Sequence, residues 1–297
     1  MSEPLVSIGV PTFNRAERLT RAVESVLRQT HERIEVTILD NASGDGTEQI
    51  AREIAERDAR VRYVRHPRNI GPEANFNAAF EAAGGEFAML VADDDLIAPD
   101  YIERCLAALA GDAGLSVAAG RARYLRDGAE VPFGRPLELM QPDPAERVRA
   151  YFGSVEDNAP FYGLIRREAL AAQPPLRRVL GFDWLRVAGL AFSGRIARVA
   201  ETSITFELGG ASESTAKNVG VSRLPRAQAK VPHLVIARQV LAEIGWRSPV
   251  FAPLGRPGRL RLAASCAAAI PRRNARHVAF HLAPAPVQRA WQRRSER

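Results

Sequence analysis

Two cysteines in 297 residues, Cys105 and Cys266, leave little for sulfur to do in this chain. Neither a disulfide framework nor a zinc site follows from a pair so far apart. Long apolar runs are also lacking. The longest candidate, Leu262 to Ile270, is Ala-rich and far short of the roughly 18 residues that a membrane span requires. Met1-Ser2-Glu3-Pro4 opens with neither the basic stretch nor the apolar core of a signal peptide, so a soluble, cytoplasmic protein is expected. There is no Walker P-loop, no Gly-x-Gly-x-x-Gly and no Gly-x-Ser-x-Gly elbow, which leaves the familiar routes to NTP, dinucleotide and ester chemistry unsupported. His31 and His66 read as loop or surface residues, with nothing that pairs them with a nucleophile.

What the chain has is enough apolar content, 46%, to bury a full core as one large domain with an appendage, or as two domains. Its charge is unevenly spread. Residues 211–297 carry 16 Lys+Arg against 3 Asp+Glu, a net of +13, whereas residues 1–210 carry 25 against 31, a net of −6. A mildly acidic body with a basic tail points to an anionic surface or partner for the tail. The expected division is residues 1–210 as the main domain and 211–297 as a basic, mainly helical extension, with Gly209-Gly210-Ala211-Ser212-Glu213-Ser214 as linker.

The first 120 residues alternate short apolar runs with amphipathic ones. Leu5 to Val10 reads as a strand stopped by Pro11, and Ala16 to Arg28 as a helix with Leu19, Val23, Val26 and Leu27 at helical spacing. Ile34 to Leu39 and Val61 to Val64 read as strands around a helix at Thr47 to Arg57. Pro72 opens a helix through Ala83, ended by Gly84-Gly85. Such alternation implies an α/β fold with a mostly parallel sheet flanked by helices. Beyond Leu115 the pattern loosens. Short strands are expected at Val117 to Ala119, Phe161 to Ile165 and Ile204 to Phe206, with helices near Ala145 to Tyr151 and Asp183 to Phe192. Arg226 to Ile244 is amphipathic, and Arg256 to Arg297 is basic and Ala-rich.

Three polar loops follow three of the first strands: Pro11-Thr12-Phe13-Asn14-Arg15, Asp40 to Gly46, and Asp93-Asp94-Asp95. In a parallel sheet they share the edge where ligands bind in open α/β folds. Three adjacent carboxylates are unfavourable unless water or a cation shares them, and hard oxygens suit Mg²⁺ or Mn²⁺. An acidic turn capping the helix near Pro99 accounts for them equally. Asp40 has the chemistry to accept hydrogen bonds from a nucleobase, and it also suits a turn in which Ser43 and Asp45 cap the helix at Thr47.

Together these blocks resemble the family 2 glycosyltransferases. The resemblance rests on Val6 to Arg15, on Ala22 to Thr30, on Leu39 to Thr47, on Asn69 to Asn77 and on the triplet followed by Pro99, in order and spacing. It is dense over residues 5–110 and thinner to 207. It implies a GT-A fold and an inverting transfer of sugar from a nucleotide-diphosphate donor, a UDP-sugar by default, with Mg²⁺ or Mn²⁺. Carried over, Asp40 would recognise the base, with Pro11, Thr12, Asn14 and Ser43 around it and Asp45 on the ribose side. Asp93 and Asp94 would face the donor. The metal motif reads either as Asp93-x-Asp95 or as Asp94-Asp95, and Asp95 is common to both.

Inversion by single displacement needs one base on the acceptor side. Gly181-Phe182-Asp183-Trp184-Leu185 resembles the family's acidic block, although Phe182 stands where many members carry Glu. Asp183 is the candidate base; a helix-stabilising Asp is the competing role. Asn158 to Gly163 resembles the acceptor-side segment that precedes the base. The family most often builds bacterial surface polysaccharide or glycolipid, so the expected acceptor is a sugar or glycolipid. For the tail, anionic membrane contact, plain basic surface and nucleic acid all stay open, and the scarcity of aromatics argues against nucleic acid. A non-catalytic nucleotide-sugar-binding scaffold and a sugar nucleotidyltransferase are the alternatives to transfer. The latter would want a Gly-rich basic loop after the first strand, which Pro11 to Arg15 is not.

Overall fold

The computed structural model describes residues 3–132, 134–208 and 215–275. The N-terminal part runs β1 (Val6–Thr12), α1 (Ala16–Leu27), β2 (Ile34–Asp40), α2 (Thr47–Arg57), β3 (Val61–Arg65), α3 (Pro72–Glu81), β4 (Phe87–Leu90), β5 (Leu96–Ile97) and α4 (Tyr101–Gly111). It continues with β6 (Leu115–Arg126), β7 (Ala129–Val131), α5 (Pro144–Ser154), β8 (Leu164–Arg166), α6 (Arg167–Ala171), α7 (Phe182–Ser193) and β9 (Arg195–Glu207). Helices α8 (Thr215–Val221), α9 (Pro232–Ala242) and α10 (Gly255–Arg273) follow.

Among the described residues one sheet runs in the order β3-β2-β1-β4-β8-β6-β9-β5, with β7 paired to β6. β3, β2, β1 and β4 are parallel, as the alternation predicts. Further on the sheet is mixed. β8 lies antiparallel between β4 and β6, β6 and β9 are parallel, and β5 runs antiparallel to β9. That last pairing ties the residues just after the aspartate triplet to the far end of β9.

Strand alternation decides which face meets which helices. Val6, Ile8 and Val10 of β1 and Met89 of β4 join Leu19, Val23 and Val26 of α1 in one core. Facing the other way, Gly9 meets α3 so closely that a Cβ there would lie 2.6 Å from the Ala79 Cβ. Ala88 and Leu90 face the second core, where Val148, Tyr151 and Phe152 of α5 pack with Val187 and Leu190 of α7. Ile236 and Val240 of α9 and Leu262, Cys266 and Ile270 of α10 belong to that same cluster.

The structure departs from the sequence expectations at several places. β1 passes through Pro11 to Thr12 instead of stopping before it. Val6 N–H bonds the Arg33 carbonyl on the β2 side, and Val91 N–H bonds the Gly9 carbonyl on the β4 side. Alternation therefore turns Pro11 toward β4, which has already ended opposite Gly9, so its missing N–H breaks no ladder. β6 and β9 are much longer than the short apolar runs Val117 to Ala119 and Ile204 to Phe206, because Arg121, Arg123, Glu201 and other polar residues alternate through them. Phe161 to Ile165 splits into a 3-10 turn, Ala159–Tyr162, opened by Pro160 near its start, and β8. His31 is buried, with Nε2 2.9 Å from the Pro4 carbonyl oxygen. The amphipathic stretch Arg226 to Ile244 becomes a 3-10 turn (Arg226–Lys230), α9 and a π-helical turn at Glu243–Arg247. The expected linker at 209–214 and the tail beyond 275 lie outside the described residues. Among those described, no helix is long and apolar enough to cross a membrane.

Candidate active site

The loops after β1 and β2 are fastened to each other by side chains. Asn14 adopts a positive φ of 54°, which its short polar side chain tolerates, and its Oδ1 accepts from Gly44 N–H at 2.8 Å. In return Asn14 N–H donates to Ser43 Oγ at 2.9 Å, and Arg15 N–H to Thr47 Oγ1 at 3.0 Å. Asp45 accepts from Thr47 N–H and from Ala16 N–H. Burial pushes its pKa up, but the Thr47 hydroxyl and these N–H donors outweigh that and hold it below the usual range. Asp45 thus caps α2 and braces α1 together.

Asp40, at the end of β2, is fully buried. Its Oδ1 accepts from Ser43 N–H at 2.8 Å and its Oδ2 from the Tyr63 hydroxyl at 2.8 Å, with Arg65 Nε 3.4 Å away. Arg65 has other partners, Glu48 at 3.0 Å and the Ser43 carbonyl at 2.9 Å. A third loop joins through Asn41, whose Oδ1 accepts from Ile70 N–H, and through Asn75, whose Nδ2 donates to the Leu39 carbonyl. Pro11 and Thr12 form the floor beside these loops, both buried, while Phe13 projects into solvent.

Beyond β4 the triplet turns back toward the first loop. Asp93 accepts from Phe13 N–H at 3.3 Å and lies 3.8 Å from Arg15 Nε. Asp94 takes the arginines, Arg18 at 3.5 Å and Arg15 at 3.9 Å. Burial, aided by the Asp94 charge, pushes Asp93 up to about 6. Asp95 is more deeply buried, and burial with the charges of Asp94 and Asp93 drives it well above the carboxylate range. Among the described residues no arginine or lysine pairs with Asp95. Three clustered carboxylates, two of them buried and one, Asp95, without a cationic partner among the described residues, fit a divalent cation by donor chemistry. No group of three metal-ligating side chains occurs among the described residues, so the protein would supply one or two oxygens and a bound diphosphate the rest.

Asp183 stands in the first turn of α7, after Gly181 in the left-handed region at φ 81°. Its Oδ2 accepts from Asn158 Nδ2 at 2.9 Å, and Asn158 Oδ1 accepts from the buried Tyr151 hydroxyl at 2.8 Å. The Asp183 carboxylate, acceptor-only when ionised, fixes which end of the Asn158 amide donates, and the Tyr151 hydroxyl donates to the other. Burial raises the Asp183 pKa, and the Asn158 bond opposes it.

Tyr162 lies within electrostatic reach of both groups of carboxylates. Its pKa lies well above the usual value, first through burial and then through the charges of Asp95, Asp183, Asp94 and Asp93 together. Its ring packs on Phe206 of β9, which packs on Tyr124 of β6. The structure therefore gathers Pro11, Thr12, Asn14, Asp40, Ser43 and Asp45 at one edge, with Asp93, Asp94 and Asp95 beside them and Asp183 across Tyr162. Sequence reasoning missed the roles of Arg18, Tyr63, Arg65 and Tyr151. Only Arg18 carried a signal, one helical turn beyond Asn14.

The sequence profile of the Glycosyl transferase family 2 matches residues 7–172. Over 146 residues the chain is 33% identical to the succinoglycan biosynthesis protein ExoO of Rhizobium meliloti, covering 47% of this chain and 41% of that protein. The chain spans about half or less of the length of the curated relatives it matches. Its fold is similar to that of S. aureus TarS (residues 1–349) in complex with UDP, with a TM-score of 0.62 at 18% identity over 96% of this chain and 77% of that one. It is also similar to the mannosyltransferase PcManGT of Pyrobaculum calidifontis in complex with GDP-Man and Mn²⁺, with a TM-score of 0.54 at 18% identity over 99% and 80% of the two chains.

Proposed function

The chain belongs to glycosyl transferase family 2, and from that premise we propose that it transfers a sugar, with inversion, from a nucleoside-diphosphate donor to an acceptor hydroxyl. The observation that carries this reading is the pair of fastened loops after β1 and β2, which brings Asn14, Asp40 and Ser43 to the same edge as Asp93, itself bonded to Phe13 N–H.

The nucleotide would lie on the fastened loops, with Pro11, Thr12, Asn14 and Ser43 beneath the nucleoside and Asp45 toward the ribose. Asp40 would receive the base as Arg65 yields its 3.4 Å contact in favour of Glu48 and Ser43. Uridine is the default base, in keeping with the UDP bound by TarS. Asp95 and Asp93, the two buried carboxylates, are the proposed metal ligands. A bound Mg²⁺ or Mn²⁺ would neutralise the departing diphosphate. Arg15 and Arg18, half-exposed on the triplet, are free to swing toward phosphate oxygens.

At the other side Asp183 takes the acceptor proton while the acceptor oxygen attacks the anomeric carbon and the bond to the diphosphate oxygen breaks. A base works best with its pKa drawn toward the working pH, and burial moves Asp183 in that direction. ExoO, a succinoglycan biosynthesis protein, supports a polysaccharide or glycolipid acceptor in the bacterial cell envelope. The +13 net charge of residues 211–297 supports peripheral contact with anionic lipid on the cytoplasmic face, without nucleic acid. Within 215–275 the only carboxylate is Glu243, which is buried.

Thermal stability against a panel of nucleoside diphosphates, each with and without Mn²⁺, tests the donor half. A ligand at about 100 times its dissociation constant adds roughly 2.7 kcal/mol. A metal-dependent shift with one nucleotide, lost in Asp95→Ala, is expected. Turnover that survives both Asp95→Ala and Asp183→Asn would overturn the mechanism, whereas nucleotide binding without any turnover of the donor would leave a binding scaffold.

A further inference from the structure

Asn158 holds Asp183, and its sequence neighbours Asp157 and Ala159 line a separate cavity of about 140 Å³. That is several times the roughly 30 Å³ of one water. The cavity opens where the β6–β9 ladder breaks register. Gly120 pairs with Val199 but Arg121 with Ser203, so Ala200, Glu201 and Thr202 bulge out of β9. Bulges re-aim neighbouring side chains and occur beside active sites. Here Arg121 of β6 and Arg198 of β9 both reach the cavity wall.

The charges there do not balance internally. Arg198 Nε is buried without a hydrogen-bond partner. Among the described residues neither Arg121 nor Arg198 has a carboxylate within 4 Å. Asp157 is the one carboxylate on the wall, and its Oδ1 is already taken by the Tyr124 hydroxyl at 2.9 Å and Ala159 N–H at 2.8 Å. A buried guanidinium N–H without an acceptor is costly, and two guanidinium groups sharing a wall with one carboxylate leave net positive charge. Their planar donors match the oxygens of phosphate or carboxylate.

We infer that this cavity is an acceptor subsite that takes an oxyanion carried by the acceptor, held by Arg198 and Arg121, next to the segment that positions Asp183. The inference rests on the reading of Asp183 as the base. It narrows the acceptor to an anionic one, either phosphorylated or bearing a sugar carboxylate.

The test uses the full chain and two probes, inorganic phosphate and glucuronate, with binding read by thermal shift and calorimetry. One of them is expected to bind, and which one names the oxyanion. Affinity should fall about tenfold in Arg198→Gln, the worth of one hydrogen bond to a charged group, and measurably in Arg121→Gln, where the exposed side chain can be changed without risk to folding. Arg198→Lys, which keeps the charge, should recover part of the loss. No binding of either probe, or binding unchanged in both glutamine variants, overturns the subsite. The nucleoside-diphosphate shift in the same samples reports the donor site separately. Its absence alongside arginine-dependent anion binding would sink the transfer reading while leaving the anion site standing.

Discussion

Replacing Asn158 by Leu would remove the one side-chain donor that reaches Asp183, at 2.9 Å. A hydrogen bond to an ionised group is worth about 1.5–3 kcal/mol. The Asn158 bond favours the ionised form of Asp183, so its loss leaves only the backbone N–H groups of Trp184 and Asp183 against burial and raises the pKa further. A loss of that size is about a 10- to 100-fold change in the protonation equilibrium. A base must be deprotonated to act, so the acid limb of kcat/KM should move to higher pH accordingly. The activity deficit should be about 10- to 100-fold on the limb and shrink on the alkaline side. Stability should fall as well, by about 1–3 kcal/mol, because the buried Tyr151 hydroxyl loses its acceptor. Adding Tyr151→Phe removes that orphan and should restore part of the stability without restoring the acid limb. A pH–rate profile of wild type and variant decides the matter. A deficit that is uniform across pH would refute the argument and reduce Asn158 to scaffolding.

Three further perturbations bear on separate parts of the molecule. Gly9→Ala would put a Cβ 2.6 Å from the Ala79 Cβ and 3.1 Å from Leu90 Cδ2, and should cost about 1–3 kcal/mol in urea denaturation, less in a background carrying Ala79→Gly. Asn14→Ala loses the acceptor for Gly44 N–H and the side chain that tolerates positive φ, so a rise in KM for the donor with an unchanged acid limb is expected. Leu262→Ala, deep in the cluster shared by α5, α7 and α10, should destabilise by about 2–5 kcal/mol. If it left the main transition untouched and melted only a minor one, α10 would not belong to the common core.

The parallel half of the fold was legible because β1, β2 and β4 are short, largely apolar and buried on both faces, with Pro72 and Gly84-Gly85 as punctuation. β6 and β9 were not, since their length is fixed by pairing with each other while arginines and glutamates interrupt the apolar signal. The triplet and the fastened loops could be read from residue types at the ends of strands. That Asp40 has both oxygens engaged could not, because Tyr63 and Arg65 reach it from β3 only after the sheet forms. Likewise Asp183 stood out as an acid at a helix start. The Tyr151–Asn158 relay behind it joins residues from α5 and a 3-10 turn, which no local pattern connects.

The recognisable family stretch ends at residue 172, yet the hydrophobic cluster beneath the sheet continues through Val187 and Ile236 to Ile270. Leu39, Ala79 and Leu90, from the matched stretch, lie in one cluster with residues of helices beyond it. A substitution past 172 that changes volume or inserts charge at Val187, Ile236 or Ile270 therefore also disturbs the packing beneath β2, α3 and β4, far from where it is made.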